Sequence, residues 1–341
     1  MTHNEQGGGD GTEGFVSTGH LPAAQRVARL VSDVHALYAS NGDGESSRVY
    51  PALAAADPGL FGVCVVATDG SVFAAGDAEV EFTIMSVSKP FVFALVCQAL
   101  GPEEAREKLG VNGTGLAFNS LAAVESGNGR TNPMVNPGAI AATSLVPGET
   151  AEEKWQAIHD CLSRFAGRTL TVSAEVYRSA SETNHRNQSI ARLLESYDRI
   201  YFDPAEATDL YTRQCSLSVS ARDLAVMGAT LADGGVNPVT GEFVIDAMTC
   251  RHTLAVMTTA GLYETSGDWL YDVGLPGQER HRGRNRHRGA RKGWARHLRA
   301  TARWGREQRQ GATRGSRSLV APGARHLRLG TGAHTCAVDT H

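Results

Sequence analysis

The stretch Ile84-Met85-Ser86-Val87-Ser88-Lys89-Pro90-Phe91, continued by the apolar run Val92 to Leu100, constrains this chain more than any other segment. It reads as the entry to a buried helix. Pro90 falls in the first turn, where a missing N–H costs least. Leu100-Gly101-Pro102 then supplies the stop. Ser86 and Lys89 are three residues apart and share a face of such a helix. A serine hydroxyl is a poor nucleophile until a base stands beside it. A lysine at a helix N-terminus among apolar neighbours has its ammonium disfavoured and can be that base. Ser-x-x-Lys is thus a minimal nucleophile–base pair. The plain alternative is a serine cap beside a solvated lysine, and four residues alone do not separate the two.

The chain has 341 residues, enough for one large domain or two around a sizeable core. Residues 1–20 are Gly-rich and polar, without the apolar stretch of a signal peptide, and are expected to form a flexible tail. No run reaches membrane-spanning length, so no membrane association is expected. Six scattered cysteines, without a CxxC pair, indicate neither a zinc site nor a disulfide framework and fit a cytoplasmic setting. Charge is uneven. Residues 1–277 hold 17 Lys and Arg against 33 Asp and Glu, a balance of −16. Residues 278–341 hold 16 against 3, a balance of +13. A break of this size needs a cause.

In chain order, residues 21–40 read as an amphipathic helix with Val27, Leu30, Val31, Val34 and Leu37 on one stripe. Residues 62–67 form a short buried strand, Asp69-Gly70 a hairpin turn, and residues 71–74 its partner. Two strands leading into the Ser86 helix place Ser86 where a sheet meets a helical layer. The Asn/Pro/Gly-rich stretch from Asn132 to Ile140 runs into a small-residue helix. Its asparagines either cap a tight turn or aim an amide into the cleft. Thr150 and Glu153 form a capping box opening a helix that Gly167 ends. Residues 175–194, 221–232 and 252–260 are further helices.

These pieces resemble the glutaminase family. The resemblance rests on Ser86-Val87-Ser88-Lys89, Asn132 to Ile140, His185-Arg186-Asn187, Asp209-Leu210-Tyr211 with Cys215-Ser216, Ala225-Val226-Met227 with Leu231 to Gly235, and Gly261-Leu262-Tyr263 with Ser266-Gly267. It runs from about residue 25 to Gly277. It implies a serine β-lactamase-like fold and hydrolysis of L-glutamine to L-glutamate and ammonia without metal or cofactor. Ser86 would attack the side-chain carboxamide with Lys89 as base. Asn136 and Asn187 would hold the amino-acid end. Tyr211 and Tyr263 would line the site as the two candidate catalytic tyrosines, Tyr263 ranking ahead of Tyr211 as proton shuttle. Outside that pattern, Asn187 reads as a helix residue facing water and either tyrosine as half-buried core.

The chain departs from the family twice. The family carries a substrate-binding glutamate seven residues before the Asn of His-Arg-Asn; here that position is Ala180. Glu182 lies about 200° further round a helix and is a poor stand-in. The family also continues after Gly-Leu-Pro with Lys-Ser-Gly on a strand whose following N–H completes the oxyanion hole. Here Gly274-Leu275-Pro276-Gly277 is followed by Gln278-Glu279-Arg280-His281. A shifted reading frame accounts for this. Gln278 to Arg282, spelled CAA GAG CGG CAT CGG, reads Lys-Ser-Gly-Ile from the second nucleotide. Trp294 to Gly311 likewise admits a strand-and-loop sequence beginning Gly-His-Gly-Thr-Phe-Ala-Pro-Pro-Leu-Asp-Gly. Eleven arginines between 280 and 309 would otherwise argue for a nucleic-acid arm or a disordered tail.

The expected architecture is α/β, of the serine β-lactamase and penicillin-binding-protein type. An antiparallel sheet packs against helices, with a helical subdomain, and the C-terminal strands are missing. Domain limits are 1–20 tail, 21–277 catalytic domain and 278–341 Arg-rich, out-of-frame tail. The expected partner is L-glutamine, without nucleic acid, in a homo-oligomer for an intact family member, and the activity of this chain is expected to be impaired. Two alternatives stand beside this reading. One is a penicillin-recognising acyl-serine hydrolase, opposed by the lack of Ser-Asp-Asn beside the cleft. The other is a non-catalytic basic-tailed binding protein.

Overall fold

The computed structural model describes residues 22–41, 50–279, 297–299 and 335–338. The elements run α1 (Ala24–Tyr38), β1 (Gly62–Val66), β2 (Val72–Gly76), β3 (Phe82–Thr83), α2 (Lys89–Leu100), α3 (Pro102–Leu109), α4 (Leu121–Ser126) and α5 (Asn136–Ser144). They continue α6 (Ala151–Ala166), β4 (Thr171–Val172), α7 (Ala174–Thr183), α8 (His185–Glu195), α9 (Pro204–Cys215), β5 (Leu217–Val219) and α10 (Ala221–Ala232). Last come α11 (Ala247–Ala260), α12 (Ser266–Val273), β6 (Gly277–Glu279), β7 (His297–Arg299) and β8 (Thr335–Val338). Short 3-10 turns lie at Pro51–Ala55, Met85–Ser88 and Tyr263–Thr265.

The main sheet is antiparallel, in the order β2-β1-β8-β7-β6. β1 is apolar throughout because both of its faces are covered. Val63 and Val65 meet Val27 and Val31 of α1 on one side. Cys64 and Val66 join the principal core, which includes Leu224 and Val226 of α10, on the other. A strand with this environment reads as a continuous apolar run, and it does. The second sheet, β3-β5-β4, is small, and Ile84 N–H continues its pairing to the Leu217 carbonyl at 2.8 Å. That bond delivers the chain from sheet to turn immediately before Ser86.

α2 packs against α5, α6 and α11 and is buried almost from end to end. The expected buried helix is therefore present, starting at Lys89, with Ser86 in the 3-10 turn leading into it. The single helix expected over 175–194 is two, α7 and α8, separated at Asn184. Asn184 is buried there, and its side chain donates to Thr212 Oγ1 at 2.8 Å. That bond fixes the chain where α7 gives way to α8. The helix expected from 252 begins a turn and a half earlier, at Ala247, because Asp246 caps it through Thr249 N–H.

The sequence reading leaves the sheet without strands after Gly277. In the structure three short segments from this region are paired: β6 with β7, β7 with β8, and β8 with β1. No alternation of apolar residues announces them; backbone pairing alone defines them. The remainder of 278–341 and the expected tail 1–20 lie outside the described residues.

Candidate active site

Ser86 and Lys89 come together through backbone geometry. The Lys89 N–H bonds the Ser86 carbonyl, closing a 3-10 turn. Residues three apart in such a turn eclipse, so both side chains leave on one face. Met85, just before the serine, has φ 51°, left-handed for a residue with a side chain. Tyr263, across the site, has φ 53°. Two non-glycine residues held this way at one pocket mark backbone that the surroundings over-determine.

Lys89 is among the largest fully buried side chains of the described residues, 1% exposed. Burial pushes its ammonium down to about 7 from the ordinary lysine range. Its Nζ donates to Asn136 Oδ1 at 2.9 Å and to the Met134 carbonyl at 3.2 Å. A neutral amine has two N–H donors and one lone pair. With both donors taken, the lone pair is left to accept a proton. The Tyr263 ring lies 5.1 Å from the Lys89 nitrogen, and the Phe118 ring packs tilted against Tyr263 with centroids 5.0 Å apart.

The residues expected at the amino-acid end form one chain. Asn136 Oδ1 also accepts from the Tyr211 hydroxyl at 3.2 Å, and Asn136 Nδ2 donates to Asn187 Oδ1 at 2.9 Å. Asn136 opens α5, Asn187 lies in the first turn of α8 and Tyr211 in the last turn of α9, so three helices converge here. Gly138 lets the preceding loop close on α5: a Cβ there would collide with the Asn132 carbonyl. Asn132 itself serves the turn. It accepts from Met134 N–H at 2.9 Å and donates to the Val111 carbonyl at 2.9 Å, so the capping reading holds for it and the cleft reading for Asn136.

Tyr263 is hydrogen-bonded to the Ser86 hydroxyl and donates to the Glu279 carbonyl at 3.2 Å. Both tyrosines are pushed upward, chiefly by burial, and stay protonated at neutral pH. Thus Ser86, Lys89, Asn136, Asn187, Tyr211 and Tyr263 all reach one site. Ser88 does not share that role. Its hydroxyl donates to the Met85 carbonyl at 2.8 Å and accepts from Gln214 Nε2 at 3.2 Å, behind the site.

Two neighbours have no role assigned from the sequence: Cys215, quoted in the motif without one, and Tyr50, outside every motif. Cys215 lies 3.9 Å from the Ser88 hydroxyl, its thiol raised to about 11 by burial against the opposing pull of Lys89. Tyr50 is raised by burial and by Cys215, and it in turn raises Tyr211. Its only sequence signal is an aromatic immediately before Pro51, after a polar Gly/Ser-rich stretch. Ala180 is 2% exposed and Glu182 faces solvent, so the helix phase keeps Glu182 from taking the missing carboxylate's place.

β6 closes the site from the sheet side. A Cβ at Gly261 would collide with the Gly277 carbonyl, so glycine is what lets α11's end approach this strand. The Glu279 N–H is donated to the Gly261 carbonyl at 3.0 Å. Of the segment 278–281 expected to carry the second oxyanion donor, residues 280 and 281 lie outside the described residues.

Comparisons with known proteins agree with this arrangement. The family model described as Glutaminase matches residues 44–279. "Glutaminase 2" of Yersinia pestis is 64% identical over 265 residues, 77% of this chain and 78% of that protein. A "Glutaminase" of Mycobacterium ulcerans is 48% identical over 252 residues, 74% of this chain and 79% of its own length. Among solved structures, "Probable glutaminase ybaS" superposes with a TM-score of 0.75 at 41% identity, over 76% of this chain and 84% of that one. No described helix is long and apolar enough to cross a membrane. A match to the family model over more than half the chain, with relatives this close, makes the chain a member of the glutaminase family, amidohydrolases that convert L-glutamine to L-glutamate and ammonia.

Proposed function

We propose that this chain acts on L-glutamine through covalent catalysis by Ser86. The observation that carries the proposal is the buried Lys89 amine, lowered to about 7 and with its donors committed to Asn136 and Met134. The neutral amine takes the Ser86 proton as Oγ attacks the carboxamide carbon. The resulting oxyanion is held by the Ser86 N–H. The second donor belongs in the family to the strand after Gly277, which the shifted frame replaces, so this step is slow in this chain. Collapse breaks the C–N bond. Ammonia leaves with a proton relayed through Tyr263, and a γ-glutamyl ester remains on Ser86. Water then attacks the ester, giving its proton to the same relay and releasing L-glutamate. Asn136, Asn187 and Tyr211 hold the amino and carboxylate groups, exchanging their mutual bonds for bonds to substrate. The related enzyme Mglu has been solved in an L-glutamate binding form, which supports a pocket of this class.

We also infer that residues 278–341 are the product of a shifted reading frame. Support comes from three coinciding boundaries. The charge balance reverses at 278, the Lys-Ser-Gly motif is lost there, and the family match ends at 279. The cytoplasmic setting draws support from Cys64, Cys97, Cys161, Cys215 and Cys250, which are buried free thiols. Assembly as a homo-oligomer rests on the family resemblance alone.

The test is chemical trapping. Enzyme mixed with L-glutamine is quenched in acid, digested and mapped by mass spectrometry. A γ-glutamyl adduct on the peptide containing Ser86, absent in Ser86→Ala, is expected. An adduct on another residue refutes the assignment.

A further inference from the structure

Among the described residues two lysines are buried, Lys89 and Lys154, and they stand at opposite ends of one helix. That helix, α5, is buried along all nine of its residues. At its N-terminal end the Lys89 Nζ donates to Asn136 Oδ1 and to the Met134 carbonyl. At its C-terminal end the Lys154 Nζ donates to the Ser144 carbonyl at 3.3 Å and to the Val146 carbonyl at 2.6 Å. The Phe202 ring centroid lies 4.8 Å from the same nitrogen. A helix treats charge at its two ends oppositely. The N-terminal end disfavours a cation and so suits the neutral amine of Lys89, whereas the C-terminal end favours the ammonium of Lys154. Burial lowers the pKa of Lys154, and the nearby Glu149 carboxylate opposes that. The hydrolysis assigns Lys154 no part: eight helical steps, about 12 Å, separate Ser144 from Asn136.

α5 is a smooth helix. From Asn136 to Ser144 it carries one large apolar side chain, Ile140, among Pro, Gly, Ala, Thr and Ser. Packed helices lock through ridges of side chains seated in grooves. Small residues make low ridges, which resist sliding along the helix axis poorly. The axial position of α5 is therefore set largely by polar bonds at its ends. At the C-terminal end the Tyr201 N–H bonds Ser144 Oγ at 3.0 Å, and Lys154 holds the two carbonyls. Lys154 does so from a fixed point. The Thr150–Glu153 capping box sets where α6 begins, and Lys154 is the next residue. α6 packs against α2, with the Phe165 and Phe91 ring centroids 4.9 Å apart. Phe91 lies two residues after Lys89. The contacts thus form a closed circuit: Lys89, α2, α6, Lys154, α5, Asn136, and back to Lys89.

We propose that Lys154 is a positioning residue for the reaction. By holding the C-terminal carbonyls of α5 it sets where the first residue of that helix, Asn136, stands relative to Lys89 and to the amino-acid end of the substrate. The proposal rests on the roles given above to Asn136 and Lys89. Without the clamp α5 shifts along its axis, and a misplacement of about 1 Å is enough to cost a site on the order of 10²-fold.

The test measures L-glutamate binding to the chain as it stands, through the rise of Tm with ligand concentration, which yields Kd for each variant. Lys154→Met removes the donor from both carbonyls and should weaken Kd about tenfold or more, as for loss of a charged hydrogen bond to the ligand. Lys154→Arg, whose guanidinium can serve both carbonyls, should stay within about threefold. Ser88→Ala is the stability control: it lowers Tm without touching α5 and should leave Kd unchanged. If Lys154→Met does not fold, Lys154→Gln, which keeps one donor, should show an intermediate loss. A Kd unchanged in the Met or Gln variant, with Tm lowered, makes Lys154 a structural residue only and overturns the proposal. So does an equal loss of affinity in Ser88→Ala. Absence of any L-glutamate effect on the parent chain is a different result: it removes the pocket assigned to Asn136, and this proposal with it.

Discussion

Replacing Asn136 by Asp tests the electrostatics of the site most directly. Asn136 Oδ1 is 2.9 Å from the Lys89 ammonium nitrogen, and Lys89 is fully buried. A carboxylate placed there would attract the ammonium by about 6 kcal/mol at an effective dielectric of roughly 20. Burying the new carboxylate offsets much of this, leaving an upward shift of about 1–3 pKa units for the lysine. The neutral amine is the reactive form, so activity rises with pH through the lysine's pKa. In the parent enzyme that rise should be centred at about 7, the level to which burial lowers the lysine. In Asn136→Asp it should move to roughly pH 8–10. At pH 7 the neutral fraction, and with it kcat/KM, should fall about 5- to 500-fold, recovering in part as pH is raised. The measurement is ammonia release from L-glutamine against pH, in a chain whose reading frame is restored after Gly277. Asn136→Ala is the control. It removes the acceptor without adding charge, so KM should rise and the limb should not move upward. If Asn136→Asp lowers the rate equally at every pH, Lys89 is not the titrating base and the reasoning fails.

Ser86→Ala in the restored background should reduce turnover by about 10³-fold or more, since nucleophile and base act as a unit. Ser88→Ala should leave chemistry intact while lowering stability by about 1–3 kcal/mol, because Gln214 Nε2 loses its acceptor; equal kinetic loss in both would overturn the assignment. Ala180→Glu should lower KM for L-glutamine by roughly 10- to 100-fold, the worth of a charged hydrogen bond to the substrate ammonium. An unchanged KM would mean that another group already fills the role. Restoring the frame after Gly277 should raise kcat by at least about 10²–10³-fold over the chain as it stands, the cost of one oxyanion donor. Equal turnover by both chains would show that the present tail completes the hole.

The catalytic turn was legible because its chemistry is local. Serine, lysine and the proline-started apolar run lie within a few residues, and the backbone alone decides that they face the same way. β1 was legible for a related reason, since burial on two faces leaves no choice of residue type. Asn136, Asn187 and Tyr211 were different: each sits on its own helix, and no periodicity says that three helix ends meet. They were found only because their order along the chain resembles a known family. The break at Asn184 escaped because it depends on a partner, Thr212, 28 residues away. Tyr50 escaped because a single aromatic beside a proline carries no pattern, and the sheet segments after Gly277 escaped because pairing leaves no mark on side-chain alternation.

The left-handed backbone at Met85 and Tyr263 bears on the evolutionary history of such a chain. Each such residue costs on the order of 1–3 kcal/mol. Together they consume a sizeable share of the 5–15 kcal/mol by which a fold of this kind is stable. Glycine or asparagine would relax either position, so the side chains at 85 and 263 are held there against the backbone's own preference. A lineage that has lost the reaction is released from any need to hold them, and drift should reach these two sites before the well-packed core of α2. In this chain both positions hold strained side chains, a methionine at 85 and a tyrosine at 263.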